Sequence, residues 1–188
     1  THSKWIQDKL DHLEKTKVLR ENHPLGENST LLYRGEKRVL KHNDALNDKE
    51  LELSDKAIYL NLKILSEADR AQDLIREKLK KWYIQRAREI ISERVKHYSQ
   101  QLKVSFNRIS IKNQKTRWGS CSSLKNLNFN WRLVMAPPVI LDYIVVHELA
   151  HLKELNHSPS FWKMVEECCP DYPQQEKWLK ENGQLLTF

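Results

Sequence analysis

The feature that most constrains this chain is an apolar run at residues 138–155, PVILDYIVVHELAHLKEL, which also contains histidines and a glutamate. Apolar side chains recur around most of the circumference at the helical period, and this pattern predicts a buried, central helix. Pro137 and Pro138 indicate where the helix begins. Because an ionisable group inside an apolar helix is unfavourable without a partner, the histidines and the glutamate require an explanation.

Two of these histidines have the spacing of metal ligands. His147 and His151 are four residues apart, so they lie on one face of the helix, one turn from each other. Glu148 follows the first histidine, and its carboxylate would lie beside the ion and not on it. In this H-E-x-x-H arrangement the glutamate is the general base for a metal-activated water. We therefore predict His147 and His151 as metal ligands and Glu148 as the catalytic residue.

A third histidine follows a predicted turn. His157 is six residues after His151, which on a straight helix is about 240° around the axis. The chain must therefore turn, and the intervening residues suit a turn. Asn156 tolerates a left-handed conformation, and Ser158 with Pro159 is typical of a helix start. We expect His157 in the elbow as the third ligand of one Zn²⁺ ion, with water in the fourth position.

Residues 113–162, from NQKTRWGSCS to NHSPSFW, resemble the YgjP-like metal-dependent hydrolases, a family of small cytoplasmic zincins with a metallopeptidase motif. A weaker similarity extends from the hairpin near Leu31 to the sequence CCPDY. The resemblance implies an α+β, zincin-like domain, in which a small mixed or antiparallel sheet packs against the active-site helix. The similarity leaves about the first 25 residues outside, so we expect an N-terminal helical extension at residues 1–25 and a single hydrolase domain at residues 26–188. It also implies the same three ligands and the same base, with these residues bordering the site: Arg117, Trp118, Ser120 and Cys121.

The charge of the chain is unevenly distributed. The net charge is +7, and no acidic residue occurs from Arg94 to Leu141. Such a stretch attracts an anionic ligand, unless acids from elsewhere in the fold face it. The candidate substrate-binding residues come from this stretch: Lys115, Arg117, Ser120 and Arg132.

The residues leave three functions open. The first is a zinc-dependent hydrolase of the metallopeptidase type, in which an edge strand binds the substrate backbone and Arg117, Arg132 or Tyr143 stabilises the oxyanion. The second is a nucleoside-triphosphate pyrophosphatase at the same site, with Mg²⁺ as a further cofactor, because some members of the resembling family are described as acting on UTP. The third is a nucleic-acid-associated binding module, in which basic residues alternate with aromatic ones.

Composition limits the location of the protein. No apolar run approaches the roughly 20 residues that span a bilayer, so we expect no membrane partner. Three cysteines, two of them adjacent at Cys168 and Cys169, make a poor disulfide framework, and we expect a reduced, cytoplasmic protein.

Several other elements are predicted by local patterns. Residues 1–21 have helical spacing, TLLYRGEKRVLKH predicts a hairpin around Gly35, and AIYLNL predicts a strand. A charged helix should extend to about Gln101. Alternating residues at 127–134 predict one strand with a buried and a polar face, and a last helix should run from Pro173 to Gly183.

Overall fold

The computed structural model describes residues 25–47, 51–62 and 71–188. The predicted helix at residues 1–21 lies outside them. The chain divides into two compact units, of which the first holds residues up to Leu31 together with Val39–Lys78 and Phe188. The second holds Leu32–Arg38 and Leu79–Thr187. The predicted domain boundary at residue 25 stays a prediction.

A four-stranded mixed sheet is formed by the first half of the chain. Its strands are β1 (Thr30–Tyr33), β2 (Glu36–His42), β3 (Leu51–Leu53) and β4 (Ala57–Leu60), in the order β1-β2-β4-β3. The β1–β2 hairpin and the β4 strand confirm two predictions. Strand β4 is parallel to β2 and antiparallel to β3. The inner face of the sheet is apolar, since Leu40 on β2 and Ile58 and Leu60 on β4 are fully buried.

The tight turn between β1 and β2 belongs to the second unit. Gly35 has φ 81°, and a Cβ at this position would lie 2.9 Å from Pro137. Its amide donates to the carbonyl of Met135 at 2.9 Å. Both the left-handed backbone and the close approach therefore require glycine here.

The long helix α1 (Ala71–Gln101) extends to the predicted end. Within the second unit it presents a stripe of side chains four residues apart, all fully buried: Leu79, Tyr83, Ala87, Ile91 and Val95. Its Tyr83 hydroxyl donates to the carbonyl of Leu32 at 2.7 Å. The stripe is the core-facing side of an otherwise charged helix.

A second, three-stranded sheet lies in the second unit. Its strands are β5 (Arg108–Lys112), β6 (Gly119–Cys121) and β7 (Asn126–Asn130), in the order β5-β7-β6. Strand β7 is parallel to β5 and antiparallel to β6. Leu127 and Phe129 are fully buried, whereas Asn128 lies on the opposite, polar face.

The prediction of one strand over residues 127–134 is wrong in its second half. The strand ends at Asn130, and Trp131–Met135 forms a 3₁₀ helix. The side chain of Asn130 accepts from the amide of Arg132 and donates to the carbonyls of Gln114 and Arg117. This cap turns the chain out of the sheet. Leu133 fits the alternating sequence pattern, but it does not lie in a strand. It is buried together with both residues that follow it, whereas a strand would bury only every second residue.

The predicted central helix is α2 (Pro138–Ala150). It packs against β6 and against the two C-terminal helices, α3 (Pro159–Cys168) and α4 (Tyr172–Asn182). Val145, Val146 and Leu149 are fully buried. The α+β prediction is confirmed, because a small mixed sheet lies beside the helix that carries H-E-x-x-H. No helix in the described ranges is long and apolar enough to cross a membrane.

A histidine cluster as candidate metal centre

Three histidines from the end of α2 and the following loop come together. His147 lies in the last turn of α2, His151 is the residue at its C-terminal cap, and His157 lies in the loop before α3. One potential ligand atom from each lies within 4.8 Å of the other two. The Nε2 atoms of His147 and His157 are 3.1 Å apart.

The elbow forms because α2 ends earlier than the sequence suggested. The predicted end was residue 155, but the helix ends at Ala150, whose carbonyl accepts from the amides of Lys153 and Glu154. His151 Nδ1 lies 3.0 Å from the carbonyl oxygen of Glu154. A carbonyl can only accept, so Nδ1 carries the proton and Nε2 keeps its lone pair. This contact orients the ring as a metal ligand is oriented in known sites.

The start of α3 fixes the other side of the elbow. Ser158 caps the helix, since its Oγ accepts from the amide of Phe161 at 3.2 Å, and Pro159 is the first helical residue, as predicted. Phe161 is fully buried. Its ring centroid lies 5.0, 4.6 and 4.8 Å from those of the three histidines.

An aromatic stack continues from the cluster. Trp162 stacks on His157 at 5.6 Å and on Tyr172 at 4.9 Å between ring centroids. The sequence analysis did not identify Phe161, Trp162 or Tyr172 as parts of the site. Phe161 and Trp162 could have been predicted from the sequence. They follow His157 within the first turn of a helix whose start is indicated by Ser158 and Pro159. For Tyr172 no local signal existed, since it belongs to α4.

The donor set fits a divalent metal ion. The Nε2 atoms of His147 and His157 are 3.1 Å apart, which is close to the separation of about 3.3 Å between two ligand atoms of a tetrahedral zinc ion. Burial lowers the pKa of His147 to about 4, with a smaller effect from the charges of His151 and His157. Burial also lowers the pKa of His151. Neutral imidazoles at physiological pH are what a metal requires.

Glu148 is buried beside this cluster, with 5% of its surface exposed. Burial raises the pKa of its carboxyl to about 8, and the charge of Arg117 acts in the opposite direction. The carboxylate lies directly against β6, since a Cβ on Gly119 would be 2.5 Å from Glu148 Oε1. Gly119 is therefore a glycine because Glu148 occupies the space of a side chain. The sequence analysis missed this contact, which joins distant parts of the chain.

The four candidate substrate-binding residues lie in different environments. Arg117 is exposed, and its charge acts on Glu148. Lys115 is exposed in the same loop. Ser120 points to the polar sheet face, where its Oγ accepts from Asn128 at 3.1 Å. Arg132 donates to Asn113 at 2.7 Å and lies 4.5 Å above the ring of Trp131.

Two of the residues expected to border the site also have defined contacts. The strand register places Cys121 on the inner face of β6, together with Gly119. Burial raises the pKa of the Cys121 thiol, and the nearby carboxylate of Glu148 raises it further. Trp118 packs on Gly183, where a Cβ would lie 2.8 Å from its ring. Cys121, Cys168 and Cys169 are all free, and the cytoplasmic location stays a prediction.

Comparison with known proteins finds similar solved structures and one matching family. One similar solved structure is the metallopeptidase zymogen of Pyrococcus abyssi abylysin, with 24% identity, a TM-score of 0.44, and coverage of 50% of this chain and 94% of that chain. Another is the metallopeptidase zymogen of Methanocaldococcus jannaschii jannalysin, with 30% identity, a TM-score of 0.43, and coverage of 50% and 96%. No curated protein matches the sequence. The family model described as YgjP-like, metallopeptidase domain, matches residues 1–182. The chain therefore belongs to the YgjP-like metallopeptidase-domain family.

Proposed function

We propose that the protein is a zinc-dependent hydrolase of the metallopeptidase type. His147, His151 and His157 would hold one Zn²⁺ ion, and Glu148 would be the general base. The observation that carries this proposal is the cluster of three histidine ligand atoms within 4.8 Å of one another, beside a buried glutamate. Three imidazoles with one open position are typical of catalytic zinc. When bound, the ion supplies a Lewis acid that polarises a carbonyl and lowers the pKa of water.

Glu148 would move the proton. Its carboxylate is held between the end of α2 and the backbone of β6, where water has little access. There it accepts a proton from the attacking water and passes it to the leaving amine. The close contact with Gly119 limits the movement of the carboxylate, so the base is fixed before substrate binds.

The substrate we propose is an extended peptide. Strand β6 is at the edge of its sheet, with β7 on one side, and it passes directly beside Glu148. The backbone groups on the free side of an edge strand can pair with a peptide in the β conformation. Arg117, which immediately precedes Trp118 and β6, is exposed and acts on Glu148, so it is our choice for stabilising the oxyanion.

The test compares three zinc-loaded proteins on an unfolded protein substrate: wild type, Glu148→Gln and the matched control Glu166→Gln, whose side chain is exposed on α3. Loss of a general base lowers turnover by about 10²- to 10⁴-fold, so Glu148→Gln should lose cleavage by that factor. Glu166→Gln should cleave as the wild type does.

A parallel reaction with UTP and the other nucleoside triphosphates tests the alternative. In the pyrophosphatase mechanism the wild type would release pyrophosphate, with Mg²⁺ present, and leave the unfolded chain intact. That result would replace the peptidase proposal, and it would assign Lys115 and Arg117 to phosphate binding. We expect no pyrophosphate from the wild type. Arg132, the third basic residue among the substrate-binding candidates, donates to Asn113 and lies above the ring of Trp131.

A further inference from the structure

The outer side of the three-stranded sheet is a polar surface of one charge sign. The register of β5, β7 and β6 brings seven side chains to this side, opposite the buried face of Leu127 and Phe129. One of them, Asn130, is buried, and the other six reach the surface. We call it the basic sheet face, and its residues are Arg108, Ser110, Lys112, Ser120, Asn126 and Asn128. Arg108 and Lys112 are exposed, and the four neutral residues are half-buried.

The cations of this face are not used by the fold. Neither Arg108 nor Lys112 makes an ion pair or a side-chain hydrogen bond with any residue of the described ranges. Other arginines of the second unit do have acidic partners: Arg94 binds Asp142 at 2.6 Å and Arg86 binds Glu89 at 3.1 Å. Within the part of the chain that the structure describes, no acidic residue therefore neutralises the acid-free stretch at these two positions.

Further cations extend the surface at both ends. Lys125 lies beside the start of β5, since its carbonyl accepts from the amide of Asn107 at 2.9 Å. At the other end, the loop with the exposed Lys115 and Arg117 is tied to β7 through Asn130. Arg108 and Lys112 are four residues apart on one strand, which separates them by about 13 Å. Positive charge thus recurs along the sheet, from Lys125 at one end to the loop of Lys115 and Arg117 at the other.

We propose that the basic sheet face binds single-stranded nucleic acid. A nucleic-acid strand carries one negative charge per nucleotide, and it fits a row of cations that have no acidic partners among the described residues. Between the cations, the amides and hydroxyls of Asn126, Asn128, Ser110 and Ser120 both donate and accept, as the edges of unpaired bases do. No apolar side chain lies on this face, so it lacks the anchor that a lipid surface would require. The proposal does not depend on the metal site or on hydrolysis.

The experiment measures binding of the full chain to a fluorescein-labelled single-stranded DNA of mixed sequence by fluorescence anisotropy, over a series of salt concentrations. We expect binding at low salt, and a fall in affinity with rising salt. The variant Arg108→Glu/Lys112→Glu should bind at least about tenfold more weakly, and its log–log salt slope should be smaller by about 1.4, for two lost phosphate contacts on a single strand.

The matched control is Arg88→Glu/Lys96→Glu. It exchanges one arginine and one lysine that are exposed on α1 and without acidic partners in the described ranges, so the change in net charge is the same. It should keep the wild-type slope and most of the affinity. Equal losses in the two variants would overturn the proposal, since net charge alone would then explain binding. No binding by the wild type at low salt would also overturn it.

Two further arms make the result specific. Vesicles of phosphatidylserine should not compete with the DNA, and stronger binding to vesicles than to DNA would assign the face to a membrane. If the charge-reversal variant does not fold, as judged by circular dichroism, Arg108→Ala/Lys112→Ala replaces it. This milder variant should still lower both affinity and salt slope, and unchanged values would reject the proposal.

Discussion

The contact between Gly119 and Glu148 supports a prediction about catalysis. In Gly119→Ala the new Cβ would lie 2.5 Å from Glu148 Oε1, 2.6 Å from Cγ and 2.8 Å from Cδ. Ordinary contacts are near 3.5 Å, so the carboxylate must move by about 1 Å. Gly119 does not have a positive φ, and the backbone therefore accepts alanine. The whole effect arises from the displaced base.

A displacement of about 1 Å in a catalytic group lowers turnover by about 10²-fold, or about 2.7 kcal/mol of transition-state stabilisation. The assay is cleavage of an unfolded protein by the zinc-loaded variant, with zinc content measured on the same sample. We expect kcat to fall while zinc is retained, because the three atoms nearest to the new methyl group all belong to Glu148. Gly26→Ala is the control, since a Cβ at Gly26 meets nothing within 4 Å.

A double variant separates this mechanism from general damage. If Gly119→Ala acts through Glu148, then adding it to Glu148→Gln should lower kcat no further. Overpacking can also destabilise the fold by about 1–3 kcal/mol, so all rates should be measured well below the unfolding temperature. Unchanged kcat in Gly119→Ala, or an additive loss in the double variant, would refute the reasoning.

Three further predictions concern stability and metal binding. In the metal-free protein, burial raises the pKa of Glu148 from 4.5 to about 8. Between these two pH values the folded state binds more protons than the unfolded state, so the free energy of unfolding falls as pH rises. Between pH 5 and 8 the wild type should lose about 4 kcal/mol of stability relative to Glu148→Gln, measured by urea unfolding. His157→Ala should lower zinc affinity by at least about tenfold in a competition titration with a chelating dye, whereas His97→Ala on α1 should not. Asn130→Ala should destabilise the fold by about 1–3 kcal/mol, because the carbonyls of Gln114 and Arg117 lose their donor, and an unfolding midpoint equal to that of the wild type would contradict this.

The histidine site was predictable because its information is local. His147 and His151 share a face through helical spacing alone, and the turn that brings His157 back is encoded in the four residues from Asn156 to Pro159. The same holds for the β1–β2 hairpin, whose turn needs glycine at position 35. In each case a short pattern was enough to predict the turn, although distant contacts such as that of Gly35 with Pro137 also favour it.

The parts that the sequence analysis missed depend on distant contacts. Gly119 and Glu148 are far apart in sequence, and nothing near either residue indicates that they touch. Strand β7 ends at Asn130 because that side chain holds the loop before β6, a tertiary cap that overrides the alternating pattern. The environments of the cations were unpredictable for the same reason: Arg132 has partners in the described structure, and Arg108 has none.

The most direct test of the central claim is the X-ray absorption spectrum of the zinc-loaded protein at the zinc edge. We predict three imidazole nitrogens at about 2.0 Å and one oxygen. The His157→Ala variant should then show two imidazoles. A sulfur ligand at about 2.3 Å, or a wild-type spectrum without histidine, would place the metal elsewhere and contradict the assignment of this cluster as the active site.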